Sequence, residues 1–156
     1  QKSFDFAFEN QPFTIEAVVS VQAGGGGTLI DMRNIYQNYS EISANYANLV
    51  IVNPMDMRWS NGSVFHSVAY NFTPGIEYTV AITRDSSNKL RFFVNGQKIF
   101  ETTDTTNIIG SRYLHVGVTR LQNGNTERGF KGTIRDLRIT KGTAKYSSDY
   151  IITYQT

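Results

Sequence analysis

Hydrolysis of a glycosidic bond needs two carboxylates flanking it, about 5–5.5 Å apart when the anomeric configuration is retained. The nearest approach to such a pair is Glu101 with Asp104, in the threonine-rich stretch Glu101-Thr102-Thr103-Asp104. No third acid follows and no Glu-x-Asp-x-x-Glu occurs, so the spacing reads as surface charge. Nucleophilic catalysis fares no better. The chain has two histidines, His66 and His115, no cysteine, and no Gly-x-Ser-x-Gly. His115 sits between Leu114 and Val116, as a histidine on a strand face does. His66 follows Phe65 in a predicted strand and is placed to line a binding face. The run Gly24-Gly25-Gly26-Gly27 lacks the Gly-Lys-Ser/Thr of a phosphate loop. It reads as a flexible hairpin tip that tolerates positive φ.

Binding chemistry is better represented than catalysis. Sugar recognition uses aromatic platforms beside amide and charged hydrogen bonders. The single tryptophan, Trp59, is flanked by Arg58 and Asn61. Tyr36, Tyr39 and Tyr46 cluster with Asn38, Asn45 and Asn48 in an irregular polar segment. Irregular segments on a rigid scaffold commonly carry binding. The candidate ligand contacts are therefore Tyr36, Tyr39, Tyr46, Arg58, Trp59, Asn61 and His66. Trp59 has a second reading as a core residue, with Met55, Met57 and Trp59 sharing one strand face.

The elements that would position these groups are strands. Phe13, Ile15, Ala17, Val19 and Val21 alternate with Thr14, Glu16, Val18 and Ser20, the period of a half-buried strand. Further strands are predicted at Thr28–Met32, Leu49–Val52, Met57–Ser60, Ser63–Tyr70, Glu77–Arg84, Leu90–Val94, Lys98–Thr103, Tyr113–Leu121 and Phe130–Thr140. Asn61-Gly62 and Asn95-Gly96 are hairpin signals, and Thr73-Pro74-Gly75 marks a turn. The last strand slips register between Ile134 and Leu137, which predicts a bulge near Asp136. Helix signals are nearly absent. Many short strands with this punctuation predict an all-β, two-sheet antiparallel sandwich spanning residues 1–156 as a single domain.

Composition excludes several classes. The 156 residues carry 40% apolar and 18% charged residues, with 10 Phe and 9 Tyr, which suits a globular, strand-rich chain. A net charge of +2, spread over 15 scattered basic residues, argues against a nucleic-acid partner. Without cysteine there is no disulfide framework, thiol nucleophile or zinc–thiolate site. No apolar run approaches the roughly 18–20 residues of a membrane span. The first residue is Gln1 rather than Met, which predicts excision from a longer protein or processing of a precursor.

Three segments carry a family likeness. They are Phe4-Asp5-Phe6 followed by Gln11–Val19; Glu77–Arg84 running through Lys89–Gly96; and Phe130–Tyr146, which contains Gly132, Ile134, Asp136, Arg138-Ile139-Thr140, Gly142, Ala144 and Tyr146. Together, in this order, they resemble the laminin-G-like branch of the concanavalin A-like lectin/glucanase superfamily. The third resembles the closing strand of bacteriophage and bacterial surface versions. The resemblance implies a jelly-roll sandwich and a non-catalytic binding or adhesion domain on a virion or bacterial surface, outside the cell. Its partner would be a cell-surface glycan. The alternative is a structural or decorating virion protein that contacts neighbouring subunits or copies of itself. A glycan hydrolase is a third reading, opposed by the missing carboxylate pair. No cofactor is required, but the family's rim calcium would fall on Asp31 with Asn34, or on Asp56. Family domains also carry a strand before Phe4-Asp5-Phe6. Either another chain supplies it or Ile151–Tyr154 fills part of that edge.

Overall fold

The alternation at Phe13–Val21 becomes one inward row. Phe13, Ile15, Ala17, Val19 and Val21 are all buried. In the computed structural model, which describes residues 7–32, 49–60, 65–108, 114–120 and 126–153, this row opens a strand, β1, of 19 residues (Phe13–Asp31). Ten more follow: β2 (Leu49–Asn53), β3 (Asp56–Ser60), β4 (Phe65–Ala69), β5 (Glu77–Arg84), β6 (Lys89–Val94), β7 (Gln97–Thr103), β8 (His115–Val116), β9 (Thr119–Arg120), β10 (Thr126–Glu127) and β11 (Lys131–Lys141). No helix among the described residues is long and apolar enough to cross a membrane.

β1 belongs to both sheets. Its first half lies between β5 and β11, giving the order β11-β1-β5-β6-β7, and its second half lies between β2 and β8, giving β8-β1-β2-β3-β4. All these pairings are antiparallel, and the result is the expected two-sheet sandwich. The first sheet contributes Val80, Ile82, Leu90, Phe92 and Val94 to the core, and the second contributes Val50, Val52, Met57 and Trp59. Phe13 and Trp59 stack across the interior at 5.4 Å.

The glycine run corrects the sequence reading. It is not a hairpin tip: β1 continues through Gly24–Gly27 and changes sheets there. A Cβ on Gly25 would lie 2.7 Å from the Lys131 carbonyl, and one on Gly26 2.5 Å from that of Val52. The glycines let neighbouring backbones close around the bend. Two other expectations change. Tyr113–Leu121 is broken into β8 and β9 around Gly117, whose φ is +74°. Met55 leaves the face of Met57 and Trp59 and is exposed in the β2–β3 turn.

The bulge near Asp136 is present. Glu16 pairs with Arg138 but Val18 pairs with Arg135, so β11 holds one residue more than β1 in that interval. Asp136 absorbs it with a φ of +53°. The Asn95-Gly96 turn is present too, with both residues at positive φ.

After β11 the chain doubles back over the outer face of the first sheet as an irregular strap, residues 142–153. Gly142 N–H donates to the Pro12 carbonyl, Thr14 Oγ1 to the Thr143 carbonyl, Thr83 Oγ1 to the Tyr146 carbonyl and Tyr150 N–H to the Gly96 carbonyl. Lys98 N–H donates to Asp149 Oδ1. Tyr146 and Tyr150 stack at 3.6 Å, and both meet the outward ring of Phe93. Ile151–Thr153 thus lies on the sheet's face and forms no edge strand. Phe4-Asp5-Phe6 lies outside the described residues.

Candidate functional site

The strap and the sheet beneath it enclose a groove of about 550 Å³, within the 300–1,000 Å³ range of ligand sites. Its floor is the outward face of β1 and β5 (Glu16, Val18, Thr79). One wall is β11 (Arg135, Asp136, Arg138), and the other is the strap (Tyr146, Tyr150, Ile151, Ile152).

The bulge builds the charged wall. Strict alternation would send Asp136 and Arg138 inward and Leu137 outward. The additional residue reverses this, so Arg135, Asp136 and Arg138 are all exposed on one face while Leu137 packs on the core. Re-aiming side chains is the usual consequence of a bulge. Arg135 is fully committed. It grips Glu77 through two hydrogen bonds, Nε to Oε1 at 2.8 Å and Nη2 to Oε2 at 2.7 Å, and it also pairs with Asp136. Hydrogen bonding from Arg135 holds the Glu77 carboxyl below its ordinary range.

Glu16 is drawn toward the strap. Its carboxylate accepts from Lys145 Nζ at 2.9 Å and from the Tyr146 hydroxyl at 3.5 Å. Burial is the first cause that pushes both tyrosine hydroxyls above their ordinary value, with Glu16 adding to it. Both phenols therefore stay protonated donors. Tyr150's hydroxyl is buried and has no hydrogen-bond partner among the described residues. The groove thus joins aromatic and aliphatic surface to a few fixed polar groups.

The residues singled out from sequence lie elsewhere. Tyr36, Tyr39, Tyr46, Asn61 and Asn34 fall outside the described residues. Trp59 is fully buried against Phe13, which matches its core reading and leaves no ring face for a sugar. Arg58 is 42% exposed and paired with Asp56 at 2.6 Å, and Asp56 also accepts from Asn53. Asp31 is buried in β1 opposite His115 in the register. Among the described residues no three His, Asp or Glu side chains gather as a metal would need.

Asp104 corrects the surface-charge reading of the Glu101–Asp104 pair. Glu101 is a surface ion-pair partner of Arg91 and Lys98, but Asp104 is only 3% exposed. It lies 3.6 Å from the buried Arg84 and 3.2 Å from His66, linking the edges of the two sheets. Arg84 also donates to the carbonyls of Thr106 and Glu9. His66 is therefore engaged in joining the sheets. Sequence reasoning missed the groove because Arg135 and Arg138 look like a solvated strand face. The register slip at Asp136 was the available signal, since it puts both arginines on one face.

Residues 2–145 match a laminin G family described as belonging to the concanavalin A-like lectin/glucanases superfamily. Among curated protein sequences none matches. Among solved structures, the CBM40 module of the Ruminococcus gnavus IT-sialidase, solved bound to alpha2,3 sialyllactose, aligns with a TM-score of 0.69 at 15% identity, covering 90% of this chain and 80% of that one. Domains LG4-5 of the mouse laminin alpha1 chain align at 0.59 and 16% identity, covering 83% of this chain and 35% of that one. The carbohydrate-binding module CBM66 of Bacillus subtilis aligns at 0.51 and 10% identity, covering 84% and 76%. At such identities the likeness is one of fold. With the match over most of its length, the chain belongs to the laminin-G-type branch of the concanavalin A-like lectin/glucanase superfamily.

Proposed function

We propose that residues 1–156 form a single non-catalytic glycan-binding module whose ligand lies in the groove between the strap and β1, β5 and β11. The observation that carries this reading is the make-up of the groove. It has a sugar-sized volume of about 550 Å³, two tyrosines and two isoleucines on one wall, and charged hydrogen bonders on the other. Pyranoses present apolar C–H faces and polar edges together, and such mixed walls match both. The two carboxylates that line it, Glu16 and Asp136, are held in ion pairs with Lys145 and Arg135. Neither is placed as a free acid or nucleophile, which supports binding over hydrolysis. The fold is shared with carbohydrate-binding modules, one of them solved with a bound sialyl sugar. Display outside the cell, on a virion or bacterial surface, rests on the likeness of the closing segment Phe130–Tyr146. The candidate residues Tyr36, Tyr39 and Tyr46 give a rival location on the same module.

The test is an immobilised-glycan array probed with the 156-residue chain, followed by amide chemical-shift mapping of any hit. Shifts concentrated at Val18, Thr79, Arg138 and Tyr150 support the groove. Shifts confined to residues 36–46 overturn its assignment. An array without hits overturns glycan binding.

A further inference from the structure

The groove contains one cation and one hydroxyl that the described residues leave unpartnered. Arg135 is saturated by Glu77 and Asp136. Arg138, three residues on and on the same face, makes no side-chain hydrogen bond or ion pair among the described residues. Its cross-strand neighbour is Glu16, the natural partner for a guanidinium at that register. Lys145 removes that option by taking the Glu16 carboxylate at 2.9 Å. Among the described residues Arg138 is left facing the groove without a counter-ion. On the strap, the Tyr150 hydroxyl is buried and unpartnered. A buried donor without a partner costs free energy, and an anionic oxygen in the groove would relieve it.

We propose that the groove selects sugars bearing an anionic substituent, a carboxylate or a sulfate, with Arg138 as the ion-pair partner and the Tyr150 hydroxyl as a second donor. This rests on the glycan-binding reading and adds the ligand class. Lys145 has an indirect part: it positions the site by keeping Glu16 off Arg138. Arg135 and its bidentate Glu77 partner stiffen the wall from which Arg138 projects.

The test is isothermal titration of the intact chain with matched pairs that differ only in charge. These are an oligogalacturonide and its methyl ester, a sulfated galactan oligosaccharide and its desulfated form, and sialyllactose and its methyl ester. At least one acidic member is expected to bind about tenfold or more tightly than its neutral twin, as a charge-assisted hydrogen bond implies. The pair that responds distinguishes carboxylate from sulfate. Arg138→Gln, on an exposed strand position, is expected to reduce that acidic member to within about twofold of its twin measured on the same variant. Lys145→Met should produce part of the same loss by releasing Glu16 onto Arg138, although Arg138 itself is intact. Tyr150→Phe should weaken the acidic member and preserve the ring stacking. Equal binding of acidic and neutral twins overturns the inference while sparing the glycan reading. So does an equal loss of both in Arg138→Gln. No binding by any pair overturns both.

Discussion

Gly96→Ala should detach the strap, and Gly75→Ala provides its control. Both glycines occupy left-handed turn positions with nearly the same φ, +79° and +80°. Alanine pays about 1–2 kcal/mol in that region wherever it stands. Around Gly75 an added Cβ meets nothing within 4 Å, whereas at Gly96 it would lie 2.0 Å from the Tyr150 carbonyl oxygen. The strap must then retreat by more than an ångström. It would lose the Tyr150 N–H bond to Gly96, about 1 kcal/mol, and the ring contacts of Tyr150 with Phe93 and Tyr146, about 0.5–1.5 kcal/mol each. Gly96→Ala should therefore cost about 2–4 kcal/mol beyond Gly75→Ala, a further drop of about 4–16 °C in Tm for a chain of this size. Urea and thermal unfolding followed by the fluorescence of the buried Trp59 would measure both variants. Near-ultraviolet circular dichroism would report the tyrosine stack. Equal destabilisation by the two alanines would falsify the claim that the strap is pressed onto this turn. Gly96→Ala should also abolish ligand binding in the groove at temperatures where the core remains folded, while Gly75→Ala should not.

Three further outcomes follow from the packing and the ion pairs. Trp59→Ala should cost about 3–5 kcal/mol as a core truncation, and any residual folded protein should keep its ligand affinity in titration; selective loss of affinity in a stable variant would restore Trp59 as a sugar platform. Arg84→Met should cost about 3–5 kcal/mol, because it removes the buried cation beside Asp104 and its bonds to the Thr106 and Glu9 carbonyls; Arg84→Met combined with Asp104→Leu should recover part of that in chemical denaturation, and no recovery would refute the pairing. Hydrogen bonds from Arg135 hold Glu77 below its ordinary value of 4.5, and those from Lys98 and then Arg91 do the same for Glu101. Folded values that are depressed add stability that is complete above the ordinary value and is lost as pH falls through the folded one. Tm should therefore decline below about pH 4.5, and Glu77→Gln with Glu101→Gln should flatten that decline. An unchanged slope would count against the pairs.

Features set by neighbours in sequence were legible, and features set by distant ones were not. The inward row Phe13–Val21 needs only strand periodicity, and the positive φ of Asn95 and Gly96 needs only their types. The bulge was visible because a register slip between Ile134 and Leu137 breaks the period within four residues. The sheet-crossing of β1 was hidden. A glycine run has the same local signature at a hairpin tip as at a point where the backbones of Val52 and Lys131 close in. Asp104 looked solvated because its partners, His66 and Arg84, lie 38 and 20 positions away. The strap has no periodicity at all. Its place is fixed by Tyr146 and Tyr150 finding Phe93, and by donors and acceptors at Pro12, Thr14, Thr83 and Gly96. The groove inherits that illegibility, since half of it is strap.

The sharing of β1 between both sheets has a consequence for synthesis. β1 leaves the ribosome well before the partner that completes it, since Phe13 pairs with Lys141. At about 5–20 residues per second, β1 waits roughly 6–25 s for β11 to be made. During that interval its row of Phe13, Ile15, Val19 and Val21 can be covered on one flank only, by β5 once Arg84 has emerged. The sheet β8-β1-β2-β3-β4 has all its strands once Val116 is made, whereas the other lacks its β11 edge until the end, so full protease resistance should be acquired in a late step after β11 is released. A chaperone or a slow-translating stretch before Lys131 would act on a species with one bare β1 flank, open to pairing with a second nascent copy.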